Sequence, residues 1–195
     1  MTLTKEQKYR SWVEVDLDHF TSNLQEIKRL IGSHVDFMMT VKADAYGHGA
    51  IEISHAALKN GARMLGVANA DEGVQLRISG IEAPIVILGP SIDAEIEQII
   101  KYNVTPSVSD LAFVKKLNQA LVKSGRKLPV HIEVDTGMGR GGTMHTEALK
   151  LILEILKLKN IILEGIFSHL ASSEKLIAYN EMQWKNFSDL LAYLN

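Results

Sequence analysis

The chain has 195 residues, of which 46% are apolar and 23% charged, a composition typical of one soluble globular domain. Its formal net charge is −2, with no basic block, so we expect no nucleic-acid partner. The absence of cysteine excludes a disulfide framework and thiol catalysis. The opening MTLTKEQKYR lacks the apolar core of a signal peptide, and no stretch is long enough to cross a bilayer; together these predict a cytoplasmic protein without a membrane partner.

The first predicted elements are a strand and a helix. The segment WVEVDL, residues 12–17, alternates like a half-buried strand. Asp18 stands where the cap of a helix is expected. The apolar residues of that helix follow helical spacing: Leu17, Phe20, Leu24, Ile27 and Ile31.

Short apolar strands and helical patterns alternate through the rest of the chain. The strands are predicted at FMMTV, MLGVA, IVIL, VTPSV, VHIEV and LEGIF, which start at Phe37, Met64, Ile85, Val104, Val130 and Leu163. The helices are predicted at about residues 51–60, 70–79, 93–101, 110–124 and 146–157. This alternation indicates β-α units and a parallel sheet covered on both faces, without an internal domain boundary.

The number of units favours an α/β fold of the TIM (β/α)8 barrel type, truncated after about six β-α units, because such a barrel typically needs about 250 residues. At the end of the chain, a stripe at helical spacing indicates that the sequence stops inside an amphipathic helix: Trp184, Phe187, Leu191 and Leu194. We therefore expect residues 1–195 to form one incomplete barrel domain of a longer protein. The alternative is a complete six-stranded doubly wound domain.

The stretch VKADAYGHGA, residues 41–50, ends the first parallel strand on a lysine, Lys42. Side chains at the carboxyl ends of strands carry the chemistry in such folds, although a lysine there also commonly extends its charge to the rim. Gly47 and Gly49 allow a tight turn and the close approach of a ligand, and Tyr46 places a hydroxyl beside that turn. An amine, a hydroxyl and a glycine turn predict a site for an aldehyde that carries a phosphate, such as pyridoxal phosphate.

VKADAYGHG closely resembles the cofactor-lysine motif of the alanine racemases, pyridoxal-phosphate enzymes of fold type III. Four further stretches resemble the same family in the same order, over nearly the whole chain: WVEVDLDHF, LGVANADEGVQLR, HIEVDTGMGR and GIFSHLASS. The resemblance implies a pyridoxal-phosphate-binding barrel followed by a C-terminal β-domain that is absent from this chain, in a homodimer. It also implies an isomerase that interconverts L-alanine and D-alanine, with D-alanine used in peptidoglycan and hence cell-wall synthesis.

Matched motif by motif, the resemblance gives each site residue a role. Lys42 would hold the cofactor covalently and take the α-proton of D-alanine, while Tyr46 would bind the phosphate of the cofactor. Arg140 would lie beside the phenolic oxygen of the cofactor and near the substrate carboxylate, where its fork of donors is useful. His169 would lie against the cofactor ring, and Leu88 would also contact the cofactor.

Glu133 is a departure from the family pattern. Many members have a lysine at this place, seven residues before the arginine, which is modified to a carbamate that pairs with it. Glu133 offers a similar acceptor and negative charge without modification, so we expect it to support Arg140. No residue matches the second base of the family, a tyrosine from the C-terminal domain of the partner subunit, so the isolated chain is expected to be inactive as a racemase.

A dinucleotide site is one alternative interpretation. GMGRGG, residues 137–142, fits the pattern G-x-G-x-x-G after a strand, and Glu164 follows about 20 residues further on. However, this stretch follows the fifth parallel strand rather than the first. Arg140 also lies inside the turn, where a pyrophosphate needs bare backbone.

Two further alternatives concern a metal and a binding protein. His131, Glu133 and Asp135 share one face of a strand, and His131 and Glu133 with His169 could form a two-histidine, one-carboxylate metal site, but such a site leaves Lys42 unexplained. A non-catalytic pyridoxal-phosphate-binding barrel of cofactor homeostasis would share the fold but lack the lysine motif. Finally, a capped, solvated helix face is predicted from its charged residues: Asp71, Glu72 and Arg77.

Overall fold

The computed structural model describes residues 10–194, so the polar opening, residues 1–9, lies outside the described residues. Six parallel strands form one sheet in chain order: β1 (Met38–Thr40), β2 (Met64–Val67), β3 (Ile85–Pro90), β4 (Thr105–Val108), β5 (Leu128–Asp135) and β7 (Ile161–Phe167). A two-residue strand that was not predicted, β6 (Thr143–Met144), pairs in parallel with the end of β5. The six predicted strands are thus confirmed, with ends shifted by a few residues.

The helices follow the predicted alternation. In chain order they are α1 (Leu17–Ile31), α2 (Ala50–Lys59), α3 (Ala70–Ile78), α4 (Ile96–Tyr102), α5 (Leu111–Ser124), α6 (His145–Ile155) and α7 (Ile177–Ala192). A short 3-10 turn, Asp93–Glu95, precedes α4. Within residues 10–194, none of these helices has the length and apolar character needed to span a membrane.

The order of the strands decides between the two predicted architectures. Each strand pairs in parallel with the next barrel strand along the chain, from β1 to β5 and then from β5 to β7. A doubly wound sheet instead reverses its order at a switch point. The sequential order is that of a (β/α)8 barrel, and the described residues contain six of its strands.

The core lies between the sheet and the surrounding helices. Ile85, Val86 and Ile87 are all completely buried, because both faces of β3 are covered. Leu117 and Leu121 of α5 and Ile152 of α6 pack into the same core. This continuous layer holds the carboxyl ends of the strands at one edge of the sheet.

Arg77 on α3 is not part of a solvated helix face, which corrects the prediction. Its guanidinium donates hydrogen bonds to four backbone carbonyl oxygens at 2.7 to 3.1 Å: those of Ile81, Ala83, Tyr102 and Asn103. Burial lowers the pKa of Arg77, against the opposing charge of Glu82. The side chain therefore joins the loops that precede β3 and β4, at the end of the sheet opposite the carboxyl ends of the strands.

The predicted strand at residues 12–17 does not form. Val13 is 75% exposed and Trp12 is 43% exposed, and no strand among residues 10–194 pairs with this segment. Asp16, rather than Asp18, caps α1, because its carboxylate accepts the backbone N–H groups of Asp18 and His19. Alternation alone predicts a strand, but a strand also needs a partner for its backbone hydrogen bonds.

The buried face of α7 does not coincide with the apolar stripe that was predicted for this helix. Trp184 is 65% exposed, whereas Gln183 and Leu190 are buried and Phe187 is partly buried. The stripe of large apolar residues therefore does not mark the buried face. A polar side chain, Gln183, lies at the centre of that face.

Candidate functional site

A cavity of about 700 Å³ lies at the carboxyl ends of the parallel strands. It is lined by all six residues that were predicted from the sequence: Lys42, Tyr46, Leu88, Glu133, Arg140 and His169. Thr40, Ala68 and Ser107 also contribute to its wall. The volume falls in the range of about 300–1,000 Å³ that is usual for small-molecule sites. The fold thus brings these distant residues together around one cavity.

The lysine begins a left-handed turn, Lys42–Gly47, which the sequence did not reveal. Residues 43–46 all have φ between 51° and 55°, and none of the four is glycine. Left-handed backbone costs an L-residue ~1–2 kcal/mol, so a run of four is a strained feature. The predicted glycine turn follows directly, with Gly47 at φ 84° and Gly49 at φ 91°.

Hydrogen bonds to two carboxylates hold this turn in place. Glu72 accepts the N–H of Ala43 at 2.9 Å and, with its other oxygen, the N–H of Ala68 at 2.7 Å. Asp44 accepts the N–H of Ala50, the first residue of α2, at 2.7 Å. Glu72 is half-buried and bonded to two backbone N–H groups, so the prediction of a solvated face is wrong for this residue.

Lys42 and Tyr46 extend from the same turn. The Nζ atom of Lys42 lies 6.0 Å from the centroid of the Tyr46 ring, which is near the outer limit for a cation–π contact. Lys42 is half-buried, whereas Tyr46 is 62% exposed. Lys42 is therefore the more enclosed of the two side chains, and Tyr46 is accessible to a ligand.

Asp135 organises the glycine loop that carries Arg140. Its carboxylate accepts the N–H of Gly137 at 2.9 Å and of Gly139 at 3.0 Å. Burial raises the pKa of Asp135, but the N–H groups of Gly139, Gly137 and Met138 outweigh that effect and lower it. Because these N–H groups already bind a carboxylate, they do not present the bare backbone that a dinucleotide pyrophosphate needs.

Glu133 lies beneath the same loop. A side-chain carbon built on Gly141 would lie 3.2 Å from a carboxylate oxygen of Glu133, so the two groups pack closely. Burial raises the pKa of Glu133, the charge of Arg140 lowers it, and Asp135 raises it. Among the residues that the structure describes, Glu133 and Arg140 do not form a direct ion pair. Their interaction is therefore between charges that do not touch.

His169 lies at the mouth of the cavity. Partial desolvation lowers its pKa, and the positive charges of Arg140 and then Lys42 lower it further. His169 is exposed to solvent, but the protein atoms around its ring displace enough water to disfavour the protonated imidazole. The three predicted basic residues thus share one local field, which favours an anionic ligand.

Gln183 is a supporting residue that the sequence did not reveal. It is completely buried, its oxygen accepts the N–H of Ala171 at 2.8 Å, and its amide donates to the carbonyl oxygen of His169 at 3.0 Å. The same amide donates to the hydroxyl of Thr136 at 3.1 Å, just before the glycine loop. One side chain of α7 therefore joins the loops that carry Arg140 and His169.

The alternative metal site is not assembled in the part of the chain that the structure describes. His131 pairs with Glu164 at 3.0 Å, and Asp135 is engaged by the glycine loop. No group of three or more His, Cys, Asp or Glu side chains among residues 10–194 is arranged to hold a metal ion.

The residues present fit pyridoxal phosphate. The cavity offers an amine for the aldehyde, a phenol and a guanidinium for anionic oxygens, and an imidazole and a leucine for an aromatic ring. Ser107 also lines the cavity, and its buried hydroxyl has no hydrogen-bond partner among the described residues. Fold and site together define a (β/α)-barrel domain whose small-molecule cavity is built around a lysine.

Comparison with known proteins identifies the family. The model of the alanine racemase N-terminal domain matches residues 15–195. The alanine racemase of Clostridium tetani is 43% identical over 178 residues, which cover 90% of this chain and 46% of that protein. The crystal structure of alanine racemase from Bacillus anthracis with bound L-Ala-P has a TM-score of 0.86 and 36% identity, covering 94% of this chain and 48% of that one.

A related racemase has a similar fold. Histidine racemase from Leuconostoc mesenteroides subsp. sake has a TM-score of 0.81 and 26% identity, covering 88% of this chain and 46% of that one. The chain belongs to the alanine racemase N-terminal domain family. It spans about half the length of the relatives it matches.

Proposed function

We propose that the protein containing this chain is a pyridoxal-phosphate-dependent alanine racemase, and that residues 1–195 supply its cofactor-binding barrel part. The observation that carries the proposal is the convergence of Lys42, Arg140 and His169 on one cavity at the carboxyl ends of the strands. Membership of the alanine racemase family supports alanine as the substrate. The similar fold of a histidine racemase makes the choice of amino acid a point to test.

Lys42 is proposed to hold the cofactor through Nζ and to exchange the α-proton of the substrate. Its half-buried position in the wall of the cavity would place the amine within reach of a bound molecule. The accessible hydroxyl of Tyr46 would donate to the phosphate. When bound, the cofactor supplies an electron sink that stabilises the negative charge left by loss of the α-proton.

Arg140, His169 and Leu88 are proposed to orient the bound molecules. The guanidinium of Arg140 matches a carboxylate or phenolate, whereas His169 and Leu88 offer flat and apolar contacts for a ring. Glu133 is proposed to balance the charge of Arg140 from beneath the glycine loop, since each lies within the field of the other.

The remaining parts of the proposal concern the protein beyond this chain. Racemisation needs a second group that delivers a proton to the opposite face of the substrate. We propose that a C-terminal β-domain of a partner subunit in a homodimer supplies it, and that the isolated chain is inactive. A cytoplasmic location, with D-alanine passed to cell-wall synthesis, would follow from that activity.

The second candidate is a non-catalytic barrel that binds pyridoxal phosphate in cofactor homeostasis. It is favoured by one observation, namely that residues of the barrel alone line the cavity, whereas the lysine motif at Lys42 argues against it. Such a protein would bind the cofactor but would not interconvert alanine enantiomers in any longer form.

The experiment combines pyridoxal phosphate with the chain, followed by absorbance spectra, borohydride reduction and peptide mapping by mass spectrometry. We expect one reduced adduct on Lys42, lost in Lys42→Ala and retained in Lys59→Ala, an exposed lysine on α2. No adduct on Lys42 would contradict the cofactor assignment. Conversion of L-alanine by a longer protein that contains the chain would separate the racemase from the homeostasis protein.

A further inference from the structure

Glu72 joins two neighbouring strand ends beside the site. One carboxylate oxygen accepts the N–H of Ala43, the residue that directly follows Lys42, and the other accepts the N–H of Ala68 at the end of β2. The two acceptor distances are 2.9 and 2.7 Å, typical of hydrogen bonds to a charged group. The side chain thus connects the backbone of the lysine turn to the sheet.

The turn needs such a connection because of its conformation and its position. Residues 43–46 are held in the left-handed region, which unrestrained L-residues leave. β1 has three residues and, within the described part of the chain, pairs on one side only, with β2. After β1 ends, the N–H of Val41 donates to the carbonyl oxygen of Gly66 in β2. The next N–H on this side of the chain, that of Ala43, donates to the carboxylate of Glu72 instead.

We propose that Glu72 is a positioning residue, which fixes the left-handed turn so that the amine of Lys42 points into the cavity. The inference rests on the proposed role of Lys42 in holding pyridoxal phosphate. Asn69 caps α3 by accepting the N–H of Glu72, which fixes the backbone from which the Glu72 carboxylate reaches the turn. Glu72 acts through Lys42 and does not itself line the cavity.

The chain provides a matched control in the adjacent residue. Asp71 lies in the same first turn of α3, is exposed, and pairs with Gln98 rather than with the lysine turn. Replacement of Asp71 by alanine therefore removes a carboxylate from the same helix end without touching Ala43. Glu72→Gln keeps one acceptor oxygen, so it serves as the conservative variant.

The test measures the rate at which pyridoxal phosphate forms a borohydride-trapped adduct on Lys42 in the chain. We expect the rate to fall by ~10-fold or more in Glu72→Ala, because misplacement by about 1 Å has effects of this size or larger. Glu72→Gln should fall between Glu72→Ala and the unchanged protein, and Asp71→Ala should match the unchanged protein. Far-UV circular dichroism and urea unfolding record how much of each variant is folded.

A second variant separates positioning from plain stabilisation. In Glu72→Ala with Ala43→Gly, the glycine accepts the left-handed conformation without strain, so stability should recover while adduct formation stays slow. Recovery of both would overturn the inference, as would equal rates in Glu72→Ala and the unchanged protein. If the unchanged protein forms no adduct on Lys42, the proposed cofactor site fails, and the role of Glu72 fails with it.

Discussion

The side-chain amide of Gln183 donates a hydrogen bond to the backbone carbonyl oxygen of His169 at 3.0 Å, from a position with no solvent exposure. The same nitrogen binds the hydroxyl of Thr136, which in turn lies 2.7 Å from the hydroxyl of Ser168. The last helix therefore reaches the site through a polar contact. Its role is to hold two loops that carry cavity residues.

Gln183→Leu is expected to lower the free energy of unfolding by ~2 kcal/mol. The substitution removes the hydrogen bonds to the N–H of Ala171, the carbonyl oxygen of His169 and the hydroxyl of Thr136, and a hydrogen bond contributes about 0.5–1.5 kcal/mol. Urea unfolding of the chain checks the value. Glu181→Gln, at an exposed position on the same helix, should change stability by less than about 0.5 kcal/mol. Equal stability of the two variants would show that Gln183 does not hold the loops.

Glu133→Gln is expected to stabilise the chain at pH 7 while weakening the site. Burial raises the pKa of Glu133 above 4.5, so the folded state binds the proton more tightly than the unfolded state does. The stability linked to that proton is present below pH 4.5 and is lost as the pH rises through the folded pKa. The advantage of the glutamine should therefore be largest at pH 7 and smaller at pH 4, as measured by urea unfolding.

The same Glu133→Gln variant tests the support of Arg140. If the negative charge balances the guanidinium, affinity for pyridoxal phosphate should fall in the chain, and turnover should fall in a longer racemase that contains it. Glu133→Asp, which keeps the charge, should be affected less. Unchanged binding and turnover in Glu133→Gln would remove Glu133 from the site.

His169 is expected to titrate below its ordinary pKa of 6.5. Arg140→Met should raise the pKa, and Lys42→Met should raise it by a smaller amount, because Arg140 contributes the larger of the two charge effects. NMR titration of the ring protons measures these shifts. An unchanged pKa in both variants would mean that the three basic groups do not share one cavity.

A depressed histidine pKa also has a defined effect on stability. The contribution of neutral His169 is present above pH 6.5 and is lost as the pH falls through the lowered pKa. The unchanged chain should therefore lose more stability between pH 7 and pH 5 than His169→Gln does. Parallel pH dependence of the two proteins would contradict this expectation.

Ala43→Gly is expected to stabilise the chain or leave it unchanged. Glycine removes the left-handed penalty of ~1–2 kcal/mol. Its greater freedom in the unfolded chain lowers the stability by ~1 kcal/mol or less. The matched control is Ala112→Gly in the first turn of α5, where the residue is also exposed but lies in a regular helix. That variant should lose up to ~1 kcal/mol. Clear destabilisation by Ala43→Gly would show that the turn is not strained.

The sequence by itself determined the alternation of strands and helices and the place of Lys42 at the end of a strand, while the resemblance to the alanine racemases implied the other residues around the cavity. The alternation follows from apolar periodicity, and the order in which the strands pair was decided by the structure. Local patterns report on neighbours along the chain. That is why the glycine turn was predicted while the left-handed run before it was not.

Only the tertiary structure decided which polar side chains support the site and which predicted elements have partners. Glu72, Arg77 and Gln183 read as ordinary helix positions, and their roles depend on backbone groups far away in the chain. Residues 12–17 have the alternation of a strand, but none of the described strands pairs with them. The physical reason is the same in each case, since a hydrogen bond depends on where the fold places the second group, and periodicity carries no information about that position.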